Sequence, residues 1–164
     1  MKLQGKVAIV TGGAGGMGEA SAVLFAENGA AVAVVDLKEA AAARTAGKIN
    51  EQGGRAIAIA ADVTVSADVE RIMGTTKARL GPPTILLNNA GVDLEGRRDI
   101  VDVDEESFDR TIEVNLKGPW LMMKKVIPFM IEAVGAPSSI LRLSQRSSLL
   151  ALQVIAPPRA VSWQ

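Results

Sequence analysis

Short runs of β-branched and other apolar residues alternate with helical patterns along most of this chain. The runs predict strands buried on both faces, because they carry almost no polar side chains. They are "KVAIVT" (6–11), "AAVAVVD" (30–36), "RAIAIAAD" (55–62), "TILLNN" (84–89) and the opening of a fifth strand at "SSIL" (138–141). Strands alternating with helices favour a parallel sheet with right-handed crossovers and helices on both faces.

The intervening segments carry apolar residues at helical spacing, and several end at glycine. They predict helices over 16–28, 37–52 and 66–80, a helix from Asp104 through Asn115, and a helix over 118–134. The predicted fold class is therefore α/β, a Rossmann-like doubly wound sheet that is incomplete and has the strand order 3-2-1-4-5. Residues 1–140 form the predicted dinucleotide-binding domain. Residues 141–164 form a predicted divergent, irregular tail, in which apolar residues follow no regular spacing.

Composition excludes several classes of function. The 18 basic and 18 acidic side chains give zero net charge, so neither a nucleic acid nor an anionic membrane is an expected partner. The chain has no Cys, His or Tyr, which removes disulfides, thiol nucleophiles and the commonest metal ligand; no metal site is expected. Apolar runs are too short for a signal or a membrane span, and the expected location is cytoplasmic.

The stretch "TGGAGGMG" (11–18) connects the first predicted strand to the first predicted helix. Glycines there allow a tight turn and close approach to a pyrophosphate, which the helix N-terminus can hold with its free N–H groups. Gly13, Gly15 and Gly18 fit G-x-G-x-x-G, and Thr11, Gly12, Gly16 and Gly18 fit T-G-x-x-x-G-x-G. The alternative is a glycine-rich turn with no ligand.

Asp36 ends the second strand, eighteen residues after Gly18. A carboxylate at this place accepts hydrogen bonds from the adenosine ribose hydroxyls and repels a 2′-phosphate, which favours NAD over NADP. The alternative is an Asp that caps the next helix, and the two roles can coexist.

Together these motifs resemble the short-chain dehydrogenase/reductase family over about residues 5–140. The T-G-x-x-x-G-x-G register is like that family's cofactor loop, and "NNAG" (88–91) is like its second signature. "ADV" (61–63) is similar to its adenine-contacting segment, and "VNLKG" (114–118) to the helix that carries its active-site asparagine.

The resemblance implies a set of site residues. Those for the cofactor are Gly12, Gly16, Met17 and Gly18 at the pyrophosphate, Asp36 at the ribose, Asp62 and Val63 at the adenine, and Asn89, Ala90 and Gly91 beside the nicotinamide-side ribose. Asn115 is the implied catalytic asparagine, which holds a water on the proton path. Read alone, "NNAG" is also compatible with an ordinary turn, and Asn115 with a surface or capping position.

The chain departs from the family at the proton-transfer residues. In the family a serine orients the substrate oxygen and a Tyr-x-x-x-Lys pair moves the proton, the lysine helping to lower a phenol pKa that is ordinarily about 10. This chain contains no tyrosine. Ser144 lies next to the position of the family's serine, which falls on Gln145. Lys117, Lys124 and Lys125 belong to other elements and are expected to face solvent or a helix end.

The genetic code suggests an origin for the tail. Read from the third base of the Val154 codon, "VIAPPRAVSWQ" permits Tyr-Ser-Ala-Ala-Lys, a Tyr-x-x-x-Lys pair near its expected place. The hypothesis is a frameshift between about Ile140 and Val154, followed by an early stop. The alternative is a natural divergent end.

Three functional hypotheses remain. The first is an NAD-dependent oxidoreductase of secondary alcohols and ketones; the second, a module that binds NAD without catalysis; the third, a fragment without function. The absence of tyrosine disfavours the first. The partners expected are a small alcohol or ketone and, through helix 118–134, a second copy of the chain; the alternative is that this helix only covers the chain's own sheet.

Overall fold

A computed structural model describes residues 1–93, 99–134, 142–144 and 151–155. Its first half alternates strands and helices as the sequence predicts. The strands are β1 (Val7–Thr11), β2 (Ala31–Asp36), β3 (Arg55–Ala60) and β4 (Ile85–Asn88), and the helices between them are α1 (Gly16–Glu27), α2 (Glu39–Glu51) and α3 (Ser66–Arg79). The helix ends differ from the predicted ones by one or two residues, as frayed helix ends usually do.

The described residues 100–134 are almost entirely helical. A short 3₁₀ turn (Ile100–Asp102) precedes α4 (Glu105–Ile112), a π-helical turn (Glu113–Lys117) and α5 (Gly118–Val134). Asp104 caps α4, because its side chain accepts a hydrogen bond from the backbone N–H of Ser107. The predicted start of this helix is confirmed, and Glu105 and Glu106 lie in its first turn.

The sheet has β1 and β4 at its centre and only parallel pairs among its first four strands. Its order begins β3-β2-β1-β4, as the sequence predicts. In this order the chain first adds strands on one side of β1 and then crosses to its other side. The carboxyl ends of β1 and β4 consequently meet at a topological switch point, where open α/β sheets bind ligands.

Beyond β4 the described part of the sheet continues with two antiparallel pairings. The strand beside β4 is β6 (Ala151–Ile155), which runs antiparallel to it, and β5 (Arg142–Ser144) pairs with β6 on the outer side. The predicted fifth strand at 138–141 lies outside the described residues. The position of that predicted strand beside β4 therefore stays a prediction.

The sheet is covered on both faces, which explains the continuous apolar character of its strands. Alternate residues of β1 point to opposite faces: Ile9 packs toward α3 and α5, and Val10 packs toward α1 and α2. Both side chains are fully buried. Helices occupy both faces of strands β1–β4, so a ligand can approach these strands at their ends.

Candidate functional site

The loop between β1 and α1 approaches its neighbours too closely for side chains. Gly12 and Gly16 adopt positive φ values of 61° and 52°, which L-residues rarely adopt. A Cβ on Gly18 would overlap the carbonyl oxygen of Gly12 and the side-chain nitrogen of Asn89. The geometry favours the T-G-x-x-x-G-x-G register, since it names both positive-φ glycines of the loop, Gly12 and Gly16, and G-x-G-x-x-G names neither.

Helix α1 begins directly beside this loop with its positive end exposed. The N-cap residue is Gly15, and no side chain caps the first turn. The first backbone N–H groups of a helix have no partner within it and carry its positive partial charge. Met17, in the first turn, has 69% of its surface exposed. This helix end can therefore accept an anionic group such as a phosphate.

Asp36 connects the end of β2 to the glycine loop. One carboxylate oxygen accepts a hydrogen bond of 3.2 Å from the Ala14 N–H, and the other accepts one of 3.1 Å from the Lys38 N–H. The N-cap residue of α2 is Lys38, so Asp36 does not occupy the capping position considered as an alternative. Its carboxylate faces the loop while keeping oxygen lone pairs for another donor.

The signature "NNAG" is tied to the same loop by a buried threonine. The Thr11 hydroxyl oxygen accepts hydrogen bonds of 3.1 Å from the backbone N–H groups of both Asn89 and Ala90. The side-chain nitrogen of Asn89 donates to the carbonyl oxygen of Gly12 at 3.0 Å. An ordinary turn after a strand does not need such hydrogen bonds to a distant loop. These bonds hold Ala90 and Gly91 beside the glycine loop.

Asn115 lies inside the π-helical turn and holds the chain that follows "NNAG". Its side-chain oxygen accepts from the Val92 N–H, and its side-chain nitrogen donates to the Val92 carbonyl, both at 2.8 Å. The wide turn closes with a bond from the Gly118 N–H to the Glu113 carbonyl. Single π turns of this kind occur frequently at functional sites. Asn115 is neither a capping residue nor a free surface residue, which excludes both alternative interpretations.

Asp62 follows β3 and lies at the centre of a polar cluster. One of its carboxylate oxygens accepts from the Thr64 N–H at 2.8 Å and from the Thr64 hydroxyl at 2.7 Å. The other oxygen pairs with the Arg110 guanidinium at 3.2 Å. The Asp62 N–H donates to the Asp68 carboxylate at 2.7 Å. The neighbouring Val63 is buried.

Hydrogen bonds keep these acids ionised. Burial would raise the pKa of Asp62, but donation from Thr64 and Arg110 outweighs it and lowers that pKa below its usual range. The Asp62 N–H, with Arg71, lowers the pKa of Asp68. Hydrogen bonds to Asp62 and Glu113 raise the pKa of Arg110. A fixed anion therefore lies at the end of β3 at neutral pH.

A cleft of about 150 Å³ joins these groups at the carboxyl ends of the strands. Residues from five separate places line it, among them Gly12, Asp36, Asp62, Gly91, Arg110 and Val114. A larger cavity of about 440 Å³ lies at the opposite ends of the strands, beside Lys6 and Arg55. We assign the function to the smaller cleft, because loops bearing convergent polar groups meet there and a switch point lies beside it.

The remaining predicted residues do not join the cleft as a proton relay. Ser144 lies on β5, the outermost strand, and Gln145 lies outside the described residues. Lys117 and Lys125 form exposed ion pairs with Glu113 and Glu70, and the Lys124 ammonium lies 4.9 Å from the Trp120 ring. The expectation that these lysines belong to a helix surface is confirmed.

Two further side chains, Thr11 and Arg110, take part in the site through long-range contacts that the sequence did not predict. The Thr11 side chain belongs to the glycine motif, but its bonds to Asn89 and Ala90 join segments 78 and 79 residues apart. Arg110 meets Asp62 across 48 residues. The local signals for Arg110 are Glu106, four residues earlier, and Glu113, three residues later, and they indicate ordinary surface ion pairs.

Two classes of site find no support in the described ranges. No group of three His, Cys, Asp or Glu side chains in residues 1–93, 99–134 and the two tail strands could hold a metal ion. In the same part of the chain, every helix falls short of the length and apolar character needed to cross a bilayer.

Comparison with known proteins agrees with this geometry. The family model described as short chain dehydrogenase matches residues 6–147. An uncharacterized oxidoreductase of Thermotoga maritima is 38% identical over 93% of this chain and 58% of its own length. An NAD-dependent glycerol dehydrogenase of Listeria innocua is 37% identical over 90% of this chain and 55% of its own.

Solved structures resemble the chain to a similar extent. A 3-ketoacyl-(acyl-carrier-protein) reductase from Brucella melitensis, complexed with NADH, has a TM-score of 0.76 and 40% identity. The match covers 82% of this chain and 55% of that one. The chain thus spans about half the length of the curated relatives and solved structures that it matches. With its motifs, strand order and family model in agreement, the chain belongs to the short-chain dehydrogenase family.

Proposed function

We propose that these residues bind NAD(H) as the nucleotide-binding part of a short-chain dehydrogenase. The observation that carries the proposal is the meeting of an uncapped helix N-terminus, a crowded glycine loop and two strand-end carboxylates around one cleft. A dinucleotide needs an anion site for its pyrophosphate and acceptors for its ribose hydroxyls and adenine amine. The residues present fit that need.

Each part of the cofactor has its own proposed residues. The loop and the first turn of α1 would hold the pyrophosphate, with Gly12, Gly16, Met17 and Gly18. Asp62 and Val63 would hold the adenine, Asp36 the adenosine ribose, and Asn89, Ala90 and Gly91 the nicotinamide-side ribose. Thr11 and Asn115 support this arrangement by holding the loops that contribute those residues.

We propose a preference for NAD(H) over NADP(H). The Asp36 carboxylate lies on the cleft wall at the end of β2, where it would accept from ribose hydroxyls and repel a 2′-phosphate. The Listeria innocua relative is named NAD-dependent, and the Brucella melitensis reductase holds NADH. Parallel titrations of the chain with NADH and NADPH test the preference, and equal or tighter binding of NADPH would contradict it.

The reaction we propose for the whole protein is hydride transfer between NAD(H) and a secondary alcohol or ketone. The bound nicotinamide supplies the hydride acceptor or donor. From this chain, Asn115 would hold a water near the reacting centre, and Ser144 is the serine nearest to the substrate-orienting position, which falls on Gln145. The 164 residues contain no tyrosine, histidine or cysteine to move the accompanying proton.

That composition favours a second candidate, an NAD-binding unit that does not turn over substrate by itself. A general acid–base group contributes about 10²–10⁴-fold to a rate. We therefore expect the 164-residue chain to bind NADH without measurable oxidation of secondary alcohols. A companion chain that carries a Tyr-x-x-x-Lys pair at the place given by the frameshift hypothesis should show turnover by nicotinamide absorbance. Turnover by the shorter chain alone would reveal a proton carrier of another kind.

We also propose that α5 contributes to a homo-oligomer. One face of the helix covers the sheet, with Met122 and Val126 fully buried. The other face leaves Trp120 and Ile131 exposed by 51% and 41%, and Leu116 extends this apolar surface into the π turn. The division into a nucleotide-binding unit at 1–140 and a divergent tail at 141–164, like the cytoplasmic location, stays a prediction.

A further inference from the structure

The Arg110 guanidinium lies between two carboxylates from different parts of the fold. One terminal nitrogen pairs with Asp62 at 3.2 Å, and the other with Glu113 at 3.1 Å. The second nitrogen also reaches the Thr64 hydroxyl at 3.5 Å. A planar guanidinium can bind two carboxylates at once better than an ammonium group can, because its N–H donors point along fixed directions.

Asp62 needs such a partner to keep one orientation. The two bonds from Thr64 occupy only one of its oxygens, so the second oxygen depends on Arg110 among the described residues. The Asp62 side chain is 25% exposed, and both residues line the cleft. Without the guanidinium, the carboxylate keeps its Thr64 bonds but loses the group that holds its free oxygen on the cleft wall.

Arg110 belongs to the same continuous helical segment as Asn115. Through these two side chains the segment contacts both halves of the cleft: Asp62 at the end of β3 and Val92 after β4. Residues five apart on a regular α-helix point about 140° away from each other, since each residue turns by about 100°. The π turn, which begins at Glu113, changes that phase, and the two side chains bond to Asp62 and Val92, which both line the cleft.

We propose that Arg110 is a positioning residue for the adenine half of the dinucleotide, acting by holding the Asp62 carboxylate in place. The inference rests on the proposed function, because it requires that the cleft bind a dinucleotide. Arg110 does not set the choice between NAD and NADP, which belongs to Asp36. Its effect is confined to the side of the cleft that Asp62 occupies.

The test compares ligands that represent the two halves of the cofactor. The wild-type chain and Arg110→Met are titrated with NADH, AMP and nicotinamide mononucleotide, and folding is checked by circular dichroism. We expect affinities for NADH and AMP to fall about tenfold in Arg110→Met, as the loss of one charge-assisted contact predicts. The affinity for nicotinamide mononucleotide should change less than about twofold. Arg110→Lys should recover part of the AMP affinity through its remaining charge.

Arg71→Met is the matched control. Arg71 pairs with Asp68 at 2.6 Å, and Asp68 in turn accepts from the Asp62 N–H, so this variant removes a neighbouring Arg–Asp pair and leaves Arg110 in place. Its affinities should equal those of the wild type. Equal AMP affinity in wild type and Arg110→Met, or a parallel fall for both half-ligands, overturns the inference alone. Failure of the wild-type chain to bind NADH overturns the proposed function as well.

Discussion

The two ends of the sheet differ in what their loops bring together. At the carboxyl ends, a cleft of about 150 Å³ collects Asp36, Asp62 and Arg110 beside an uncapped helix N-terminus. At the amino ends, a cavity of about 440 Å³ is lined by glycine turns and the side chains of Lys6 and Arg55. The larger volume lacks the carboxylates and helix end that a dinucleotide requires, so volume is a poorer guide to function than convergent chemistry.

Glycines occur at both ends of the sheet, and we expect substitutions at the two ends to have different effects. Gly18 lies against the Gly12 carbonyl in the proposed pyrophosphate loop. Gly54, before β3, lies against Ile49, where a Cβ would be 2.7 Å from the Ile49 Cγ2 atom and 3.0 Å from its carbonyl oxygen. A side chain at either position disturbs packing, but only the first disturbance reaches the proposed site.

The largest expected effect therefore comes from Gly18→Val. The added side chain must displace the Gly12 backbone, and we expect NADH binding to be lost, with a fall of about 2–4 kcal/mol in the free energy of unfolding. Gly54→Ala should lower stability by about 1–3 kcal/mol while NADH affinity is retained. NADH titration and urea unfolding of both variants measure the contrast. Loss of binding in Gly54→Ala at temperatures where it is folded would contradict it.

Asp36→Ala should have the next largest effect. The variant loses the proposed ribose acceptor and the carboxylate bonds to Ala14 and Lys38, so NADH binding should weaken by about 1–3 kcal/mol. NADPH should weaken less, because the repulsion of its 2′-phosphate is removed. The ratio of the two dissociation constants is the measurement, with Glu39→Ala, at the first residue of α2, as a control for charge. An unchanged ratio would remove Asp36 from the specificity site.

Asp62→Asn should change stability with a defined pH dependence. The pKa of Asp62 is lowered in the folded protein, so its ionised form stabilises the fold above its unfolded pKa near 4, and that contribution is lost as pH falls below this value. We expect the variant to be less stable by about 0.5–1.5 kcal/mol at pH 7, after allowing for the partial exposure of Arg110. The difference should shrink toward pH 3.

Urea unfolding between pH 3 and pH 7 measures this dependence. The groups that face Asp62 are Arg110 on α4 and Asp68 on α3, and Asp36 shares its cleft. Asp109→Asn, at an exposed position of α4, is the control for the change in net charge. If the difference in the free energy of unfolding between the wild type and Asp62→Asn grows as pH falls, the ionised Asp62 carboxylate does not stabilise the fold and the prediction is wrong.

The smallest effect is expected at the amino ends of the strands. Arg55 donates a hydrogen bond to the Arg79 carbonyl from an exposed position, so Arg55→Ala should change the free energy of unfolding by no more than about 0.5 kcal/mol. Its NADH affinity should match that of the wild type. Thermal unfolding and NADH titration check both statements. Weaker NADH binding would mean that the larger cavity takes part in the site.

Local sequence signals predicted the elements and the glycine loop well. The β1 and β2 strands are apolar because both faces are covered, and Asp104 caps α4 through its own first turn. The Asp62–Arg110 pair was missed because its members are 48 residues apart and neither has a local signal for the other. The antiparallel pairing of β6 with β4 was not anticipated, since pairing at an open sheet edge depends on which segment returns to it.

What the sequence by itself determined is the pattern of strands and helices, the crowded turn at 11–18 and the acidic end of β2, because each depends on neighbours within a few residues. Only the tertiary structure decided how those parts meet. In it, Thr11 accepts a hydrogen bond from Asn89 of "NNAG", Asn115 in the π turn bonds to Val92, and Arg110 pairs with Asp62. The physical reason is that these contacts join chain segments which the sheet order brings together, and their energy is available only after the sheet has formed.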